Sequence, residues 1–389
     1  MIAIAGDNII SSLGFTTDEN YRAVESGQSG VRLCSPFVGL PEPLMASMID
    51  RERLSDSFAD LSPRADGYTM LEKAAILSVG NAAAQAQVDL SGADVLFILS
   101  STKGNVHLLD ENEKGFSRDH IYLWHTARLI AEFFGNANEP LVVSNACISG
   151  ACAQIAAMRE LETGAYSYAV VVGVEMLSKF IVSGFQSLKA LSPEMCRPFD
   201  VDRAGLNLGE AAAAIIYRRT DGKEEAGEAL LLHGAIRNDA NHISGPSRTG
   251  EGCLRALQIL LQEVAPGDLA FINAHGTATA YNDSMEAVAL ASAGLSAVSV
   301  NSLKGYFGHT LGAAGVLESI ISAHALANEA VLPTHGFKCG EKERPLNVVD
   351  KITHTEKTFF IKMLSGFGGC NAALLFKKNT KRTPPCHTQ

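Results

Sequence analysis

The eight cysteines of this chain (Cys34, Cys147, Cys152, Cys196, Cys253, Cys339, Cys370, Cys386) form no C-x-x-C pair and no zinc spacing. That argues against a disulfide framework or a structural metal module and fits the reduced thiols of a cytoplasmic protein. Apolar runs are also missing: none reaches the about 18 residues that a bilayer span takes. The opening MIAIAGDNIISSLG has no basic stretch ahead of an apolar one, so neither a membrane partner nor an export signal is expected. Positive charge is in deficit, with 32 Lys and Arg against 42 Asp and Glu, a formal net charge of −10. Nucleic acid is therefore excluded as the main partner, whereas a local basic patch for an acidic protein stays open.

What is present is ample core: 47% of the 389 residues are hydrophobic. Met1 to Gly14 reads as a strand and a glycine turn, Asp18 to Ser29 as a helix. A Pro-bearing segment follows to about Pro63, then an Ala-rich helix from Met70 to Gln87. The apolar strand in ADVLFILSSTKG, Ala93 to Gly104, suits a sheet buried on both faces. Asp110 to Asp119 reads as a solvated, charged loop. Leu141 to Gly164, LVVSNACISGACAQIAAMRELETG, runs from strand to a helix of small residues closed by Gly164, a natural C′ residue. Tyr168 to Met176 is another buried strand, which completes a βαβ unit with parallel pairing.

The second half echoes the first. ADVLFILSSTKG is answered by GDLAFINAHGTA, Gly267 to Ala278, and GEAAAAIIYRRT, Gly209 to Thr220, by GCNAALLFKKNT, Gly369 to Thr380. Between each pair lies a further strand-to-helix turn. Two similar halves are implied, with polar residues at strand ends, where open α/β sheets build sites.

Those strand ends carry the chemistry. Cys147 is placed in the first turn of its helix, where free N–H groups and the macrodipole favour a thiolate; a small buried cysteine packing a central helix fits the same pattern. In HGTATAYND, His275 to Asp283, the imidazole and the hydroxyls of Thr277 and Thr279 sit at a strand end, and a structural histidine is the alternative. NSLKGYFGHTLGAAGVLE, Asn301 to Glu318, sets Lys304 and His309 before a Gly/Ala-rich helix. Glu318, alone in a small, apolar stretch, needs a cationic partner, and Lys304 is the candidate. SGFGGCNAALLF, Ser365 to Phe376, is a Gly-rich turn entering a strand, with Phe367 in the turn.

One cysteine, two histidines and one lysine, each on a strand-end turn, resemble the decarboxylating condensing enzymes. The resemblance is to the β-ketoacyl-acyl carrier protein synthases of the elongating, Cys-His-His type, and it runs from GQSGV (Gly27 to Val31) through RPFDVDRAGLNLGE (Arg197 to Glu210) to the C-terminal Gly turn. It implies an α/β thiolase fold, two similar halves each with a mixed sheet, layered α-β-α-β-α. Residues 1–225 would carry the nucleophile and residues 226–389 the histidines and lysine. By motif, Cys147 is the nucleophile, His275 and His309 the decarboxylation histidines, and Lys304 their support. Phe367 is the gate, flanked by Gly366 and Gly368; its amide and that of Cys147 form the oxyanion hole.

The reaction implied is decarboxylative Claisen condensation of a malonyl-carrier with an acyl chain on Cys147, in fatty-acid, polyene or polyketide-type biosynthesis. No metal and no cofactor is implied beyond phosphopantetheine on the substrate carrier. The partner is an acyl carrier protein, docking near Arg197 and Arg203, and the chain is expected to dimerise with itself or with a related subunit. A chain-length-factor-like partner usually lacks the nucleophile, and a degradative thiolase carries a second active cysteine, near which Cys370 falls. Three residues depart from the family pattern: Asn145 for threonine, Ala211 for glycine and Ser365 for phenylalanine. They bear on substrate range, and the slightly short chain suggests trimmed loops.

Overall fold

A computed structural model describes residues 1–35, 42–62, 67–110 and 115–380. Pro63, the middle of the Asp110 to Asp119 run and Cys386 lie outside the described residues. The first half runs β1 (Ile2–Ile10), α1 (Met70–Ala86), β2 (Val95–Ser100), α2 (Leu123–Phe133), β3 (Leu141–Val143), α3 (Ser149–Glu162), β4 (Tyr168–Glu175) and β5 (Ala211–Arg219). The second repeats that order: β6 (Ala229–Asn238), α4 (Glu251–Leu260), β7 (Leu269–Asn273), α5 (Ala280–Ser292), β8 (Ser299–Asn301), α6 (Ala314–Ala327), β9 (Phe359–Gly366) and β10 (Cys370–Lys378).

Strand order repeats as well. The first half reads β3-β2-β4-β5-β1 and the second β8-β7-β9-β10-β6, with a short outer strand, Asn347–Val348, beside β8. In each half the first three of those strands pair in parallel and the last three antiparallel. The sheets of the two halves run into one another as one hydrogen-bonded sheet where Ile2 pairs with Leu231 and Ala3 with Leu230.

Burial explains the layering. Strand β4, YAVVVGVE, is rich in β-branched residues and almost wholly buried, as a strand covered on both faces must be. Helices α3 and α6 contact strands of both halves and form the middle layer. Apolar residues cover α6 all round, the mark of a helix with no solvent face. The two helices nearly touch: a Cβ on Gly315 would lie 2.5 Å from the Ala151 nitrogen, and one on Gly150 2.9 Å from that of Val316. Only glycine permits this approach, which brings the start of α3 against the start of α6. The outer layers are α1 and α2 over the first sheet, and α4 and α5 over the second.

Local signals set the helix limits. Thr69 and Glu72 form a reciprocal capping box at α1, and that helix stops at Gln87 in the left-handed region. The first helix covers Thr17–Glu25, shorter than the sequence suggests, because Gly27 at φ 78° ends it. Gly164 stands just past the cap of α3 at φ 81°. Among the described residues no helix is long and apolar enough to cross a membrane.

Candidate active site

Cys147 stands in the turn between β3 and α3, after Ala146 at φ 44°. Ser149 pins the turn: its hydroxyl accepts from the Asn145 N–H (2.7 Å) and donates to the Ala146 carbonyl (2.6 Å). The placement corrects one expectation. Helix α3 begins at Ser149 with Ile148 as its cap, so Cys147 precedes the first turn. Burial pushes its thiol up to about 11, against the pull of Lys304 and Lys103; desolvation outweighs the positive charges around it.

The Gly-rich turn between β9 and β10 covers the same cysteine. The Phe367 backbone amide lies near enough to the Cys147 sulfur to favour its thiolate. A side chain at Gly366 would come 3.2 Å from the Cys147 nitrogen, so glycine there lets the turn close over the nucleophile. Gly368 and Gly369 take φ 85° and 74°, which make the hairpin. The Phe367 ring stays 37% exposed and stacks on Phe185 at 5.8 Å.

Both histidines arrive from the second half. The Cys147 sulfur and one ring nitrogen from each of His275 and His309 all lie within 4.8 Å of one another. The rings meet edge to face at 5.0 Å. Burial, then the charge of Lys304, holds each imidazole well below the usual histidine range, so both are neutral. The Leu311 N–H points at His309 Nδ1 (3.4 Å), which puts that ring's proton on Nε2. His309 Nε2 and His275 Nδ1 are buried without a partner in the structure.

A carboxylate frame holds these turns. The N–H groups of His275 and Gly276 donate to Glu286 (both 2.7 Å), and those of Thr277 and Ala278 to Asp283 (2.9 and 3.1 Å). Burial, then the Asp283 charge, pushes Glu286 up to about 7. Sequence reasoning missed both acids, although their place in the first turns of the helix after the histidine motif is a readable signal. The Lys304–Glu318 pair forms as the sequence suggests, with both side chains buried. A second ammonium, Lys362, meets the other Glu318 oxygen at 2.5 Å. It too was missed, being a lone charge in an apolar strand.

These elements wall a cavity of about 480 Å³ that contains Cys147, His275, His309, Thr277, Thr279 and Ser365. The Thr277 and Thr279 hydroxyls bond each other at 2.9 Å. The three departures are small local changes: Asn145 reaches the Cys152 sulfur at 3.8 Å, Ala211 is fully buried, and Ser365 donates to Asn371 Oδ1 at 2.8 Å. Arg203 lines the cavity with its charge already engaged. Its side chain is only 6% exposed and is bound to Glu341, Ser284 and the Asp200 carbonyl. Arg197 is half-buried and pairs with Glu194 at 3.2 Å; Lys189, exposed, lies on the cavity rim.

One cysteine and two imidazoles are also a set that zinc accepts. Among the described residues no further His, Cys, Asp or Glu joins them, and Lys304 acts on all three. A neutral thiol beside a buried ammonium opposes a second cation and suits an anion forming between donors.

Residues 1–222 match the family model of the beta-ketoacyl synthase N-terminal domain and residues 229–338 that of its C-terminal domain. The 3-oxoacyl-[acyl-carrier-protein] synthase 2 of Rhizobium meliloti is 33% identical over 255 residues, 61% of this chain and 60% of that protein. Its namesake from Staphylococcus aureus is 31% identical over 248 residues, 60% of each chain. The aligned stretch thus spans about three-fifths of the curated relatives. In fold, the ketosynthase ApeO of Xenorhabdus doucetiae, solved with its chain length factor ApeC, superposes at a TM-score of 0.86, with 23% identity and coverage of 97% of this chain and 98% of that one. A beta-ketoacyl synthase from Burkholderia phymatum gives 0.85 at 23%, covering 97% and 99%. With matched models running through both halves, around a cysteine and two neutral histidines at one cavity, this chain belongs to the beta-ketoacyl synthase family.

Proposed function

We propose that the protein is a 3-oxoacyl-acyl carrier protein synthase. Residues 1–225 supply the nucleophile and residues 226–389 the histidines and lysine. The observation that carries this reading is the grouping of the Cys147 sulfur with His275 and His309 within 4.8 Å, under the Phe367 amide. In the first half-reaction Cys147 attacks the thioester of an acyl chain arriving on phosphopantetheine. His275 is the base at hand for the thiol proton, since His309 carries its own proton on Nε2; the Cys147 and Phe367 amides receive the oxyanion, which collapses to acyl-Cys147 as the carrier thiol leaves with that proton. In the second, a malonyl thioester loses CO2. Its carbonyl oxygen takes on enolate charge, and imidazole N–H groups of His275 and His309 donate to it, backed by Lys304. The resulting carbanion attacks acyl-Cys147 and breaks its C–S bond; the expelled thiolate takes a proton from water as a 3-oxoacyl chain two carbons longer leaves on the carrier.

The acyl carrier protein is the proposed partner, in the cytoplasm. Pairing with a second copy or a related subunit fits the edge strand β3, which among the described residues pairs only with β2 and leaves Leu141 and Val142 exposed shortly before the nucleophile; an open, apolar edge is a template for another strand. Two fold neighbours were solved with a chain length factor. The thiolase reading is weaker, because Cys370 is bonded to Asn238 Nδ2 at 3.4 Å, outside the cysteine–histidine group. The deciding experiment incubates the purified chain with acyl and malonyl carriers and follows intact mass and CO2 release. Acyl-Cys147 with a two-carbon-longer product supports the synthase. Cleavage of acetoacetyl-CoA without malonyl decarboxylation supports a thiolase, and inertness until a related subunit is added supports a partner chain.

A further inference from the structure

Lys362 is a buried cation to which the proposed chemistry assigns no task. It lies inside β9, FFIKMLSG, whose neighbouring positions are apolar and buried. Parallel register with β7 sets it beside Asn273, two residues before His275. Its ammonium donates to the carbonyls of Ala274 (3.2 Å) and Met363 (2.9 Å) and meets Glu318 Oε2 at 2.5 Å. A longer contact reaches the Asn273 carbonyl at 3.5 Å, so three carbonyls surround the ammonium beside the ion pair. The sheet itself does not call for this charge. In the first half the position at the same step and on the same face of the strand is Val171, paired with Ile215 as Lys362 is with Leu374. A buried ammonium is costly where an apolar side chain would pack as well.

We infer that Lys362 is a positioning residue for the decarboxylating half-reaction. It holds the carbonyl next to His275 and shares Glu318 with Lys304, which leaves an uncompensated positive charge beneath both imidazoles. The inference rests on the synthase reading above. That charge adds to burial, the larger cause, in keeping the imidazoles neutral, since His275 and His309 both feel Lys362 as well as Lys304, and it favours the oxyanion that decarboxylation creates. The charged and titratable groups facing Lys362 are Glu318 on α6, Lys304 after β8, Glu286 on α5 and the two histidines.

Burial, opposed by Glu318 and reinforced by Lys304, pulls the Lys362 ammonium down to about 8. It is charged below that pH and neutral above it. Decarboxylation should therefore fall as pH rises through that value, while loading of Cys147, which gains thiolate as pH rises, should not.

The test follows malonyl-carrier decarboxylation and acyl loading of Cys147 across pH 6 to 10 in the wild-type chain, Lys362→Met, Lys362→Gln and Lys362→Arg. Decarboxylation by the Met and Gln variants should drop on the order of tenfold and lose its alkaline fall, with loading within about twofold and Arg recovering part of the rate. Equal losses in both half-reactions, or an alkaline fall that persists without the lysine, overturn the inference. If neither neutral variant folds, the wild-type profile decides: an alkaline fall in decarboxylation alone supports it, and a flat profile overturns it. A wild-type chain that never releases CO2 overturns the synthase reading itself, a result distinct from either.

Discussion

The two halves follow one path through space and end in opposite chemistry. After β3 the first half sets Cys147, while after β8 the second sets Lys304 and His309. At the close of β4 stands Glu175, fully buried, paired with Ala211; β9 closes instead on Gly366, paired with Cys370. Burial pushes the Glu175 carboxyl up, towards its neutral form, and its charge weighs against a Cys147 thiolate. The second half instead buries two ammonium groups on one carboxylate. Topology repeats, then, and electrostatics do not: a duplicated frame can hold a neutral nucleophile against a cationic anion-stabilising wall.

Separating the halves by mutation breaks this comparison most sharply at Cys147. Cys147→Ala should abolish acyl loading and condensation yet leave measurable malonyl decarboxylation, because the groups that hold the enolate are untouched. Intact mass and CO2 release read the two events. An acyl group on Cys152 or Cys370 would defeat the assignment. The mirror experiment is His275→Ala or His309→Ala, which should cost decarboxylation on the order of a hundredfold, the scale of one lost oxyanion donor. Loading of Cys147 should suffer less, and condensation at the parent rate in both variants would show the histidines idle.

A smaller effect tests the electrostatic contact between the halves. With the thiol held up to about 11 by burial, it is protonated at neutral pH. Alkylation of Cys147 should therefore accelerate roughly tenfold per pH unit between about 7 and 10, in step with the thiolate. Lys304 pulls the thiol down, so Lys304→Met should slow alkylation severalfold at fixed pH. A rate that is flat from pH 7 to 9 would mean the thiolate is already formed, as the helix-terminus argument expects.

That argument marks where the sequence is legible and where it is not. Apolar runs and the internal echo locate the strands, and the residue types at their ends locate Cys147, His275, His309 and Lys304. Even the Lys304–Glu318 pair is readable, since a lone acid in an apolar helix demands a cation. Burial is less so. Whether desolvation or local charge governs Cys147 depends on α6 packing against α3, which no stretch of sequence states. Arg203 looks like a surface charge beside Asp200 and Asp202 until residues 338–341 fold over it, with the Lys338 and Cys339 N–H groups donating to Asp200. Lys362 is invisible for the same reason: its partners lie 44 residues before it in Glu318 and farther back in Ala274.

The smallest expected effect concerns Ser365, the position where the second half departs both from the first and from the family pattern. Its side chain is 7% exposed and forms part of the cavity wall, with its hydroxyl on Asn371 Oδ1, while Asn371 Nδ2 reaches the Gly369 carbonyl at 3.0 Å. The serine thus ties the end of β9 to the hairpin that carries Phe367. A phenylalanine in its place would remove that bond, worth about 1 kcal/mol, and bring a ring of about 150 Å² or more into the cavity. Neither change touches His275, His309 or their carboxylate frame, so decarboxylation should hold. What should shift is the choice of acyl chain: in competition, Ser365→Phe should lose a conjugated or aryl-ended acyl carrier relative to a straight saturated one by a few fold. An unchanged preference would mean that neighbouring side chains, Phe185 and Phe367 among them, already define the bore and that the serine only tethers the hairpin.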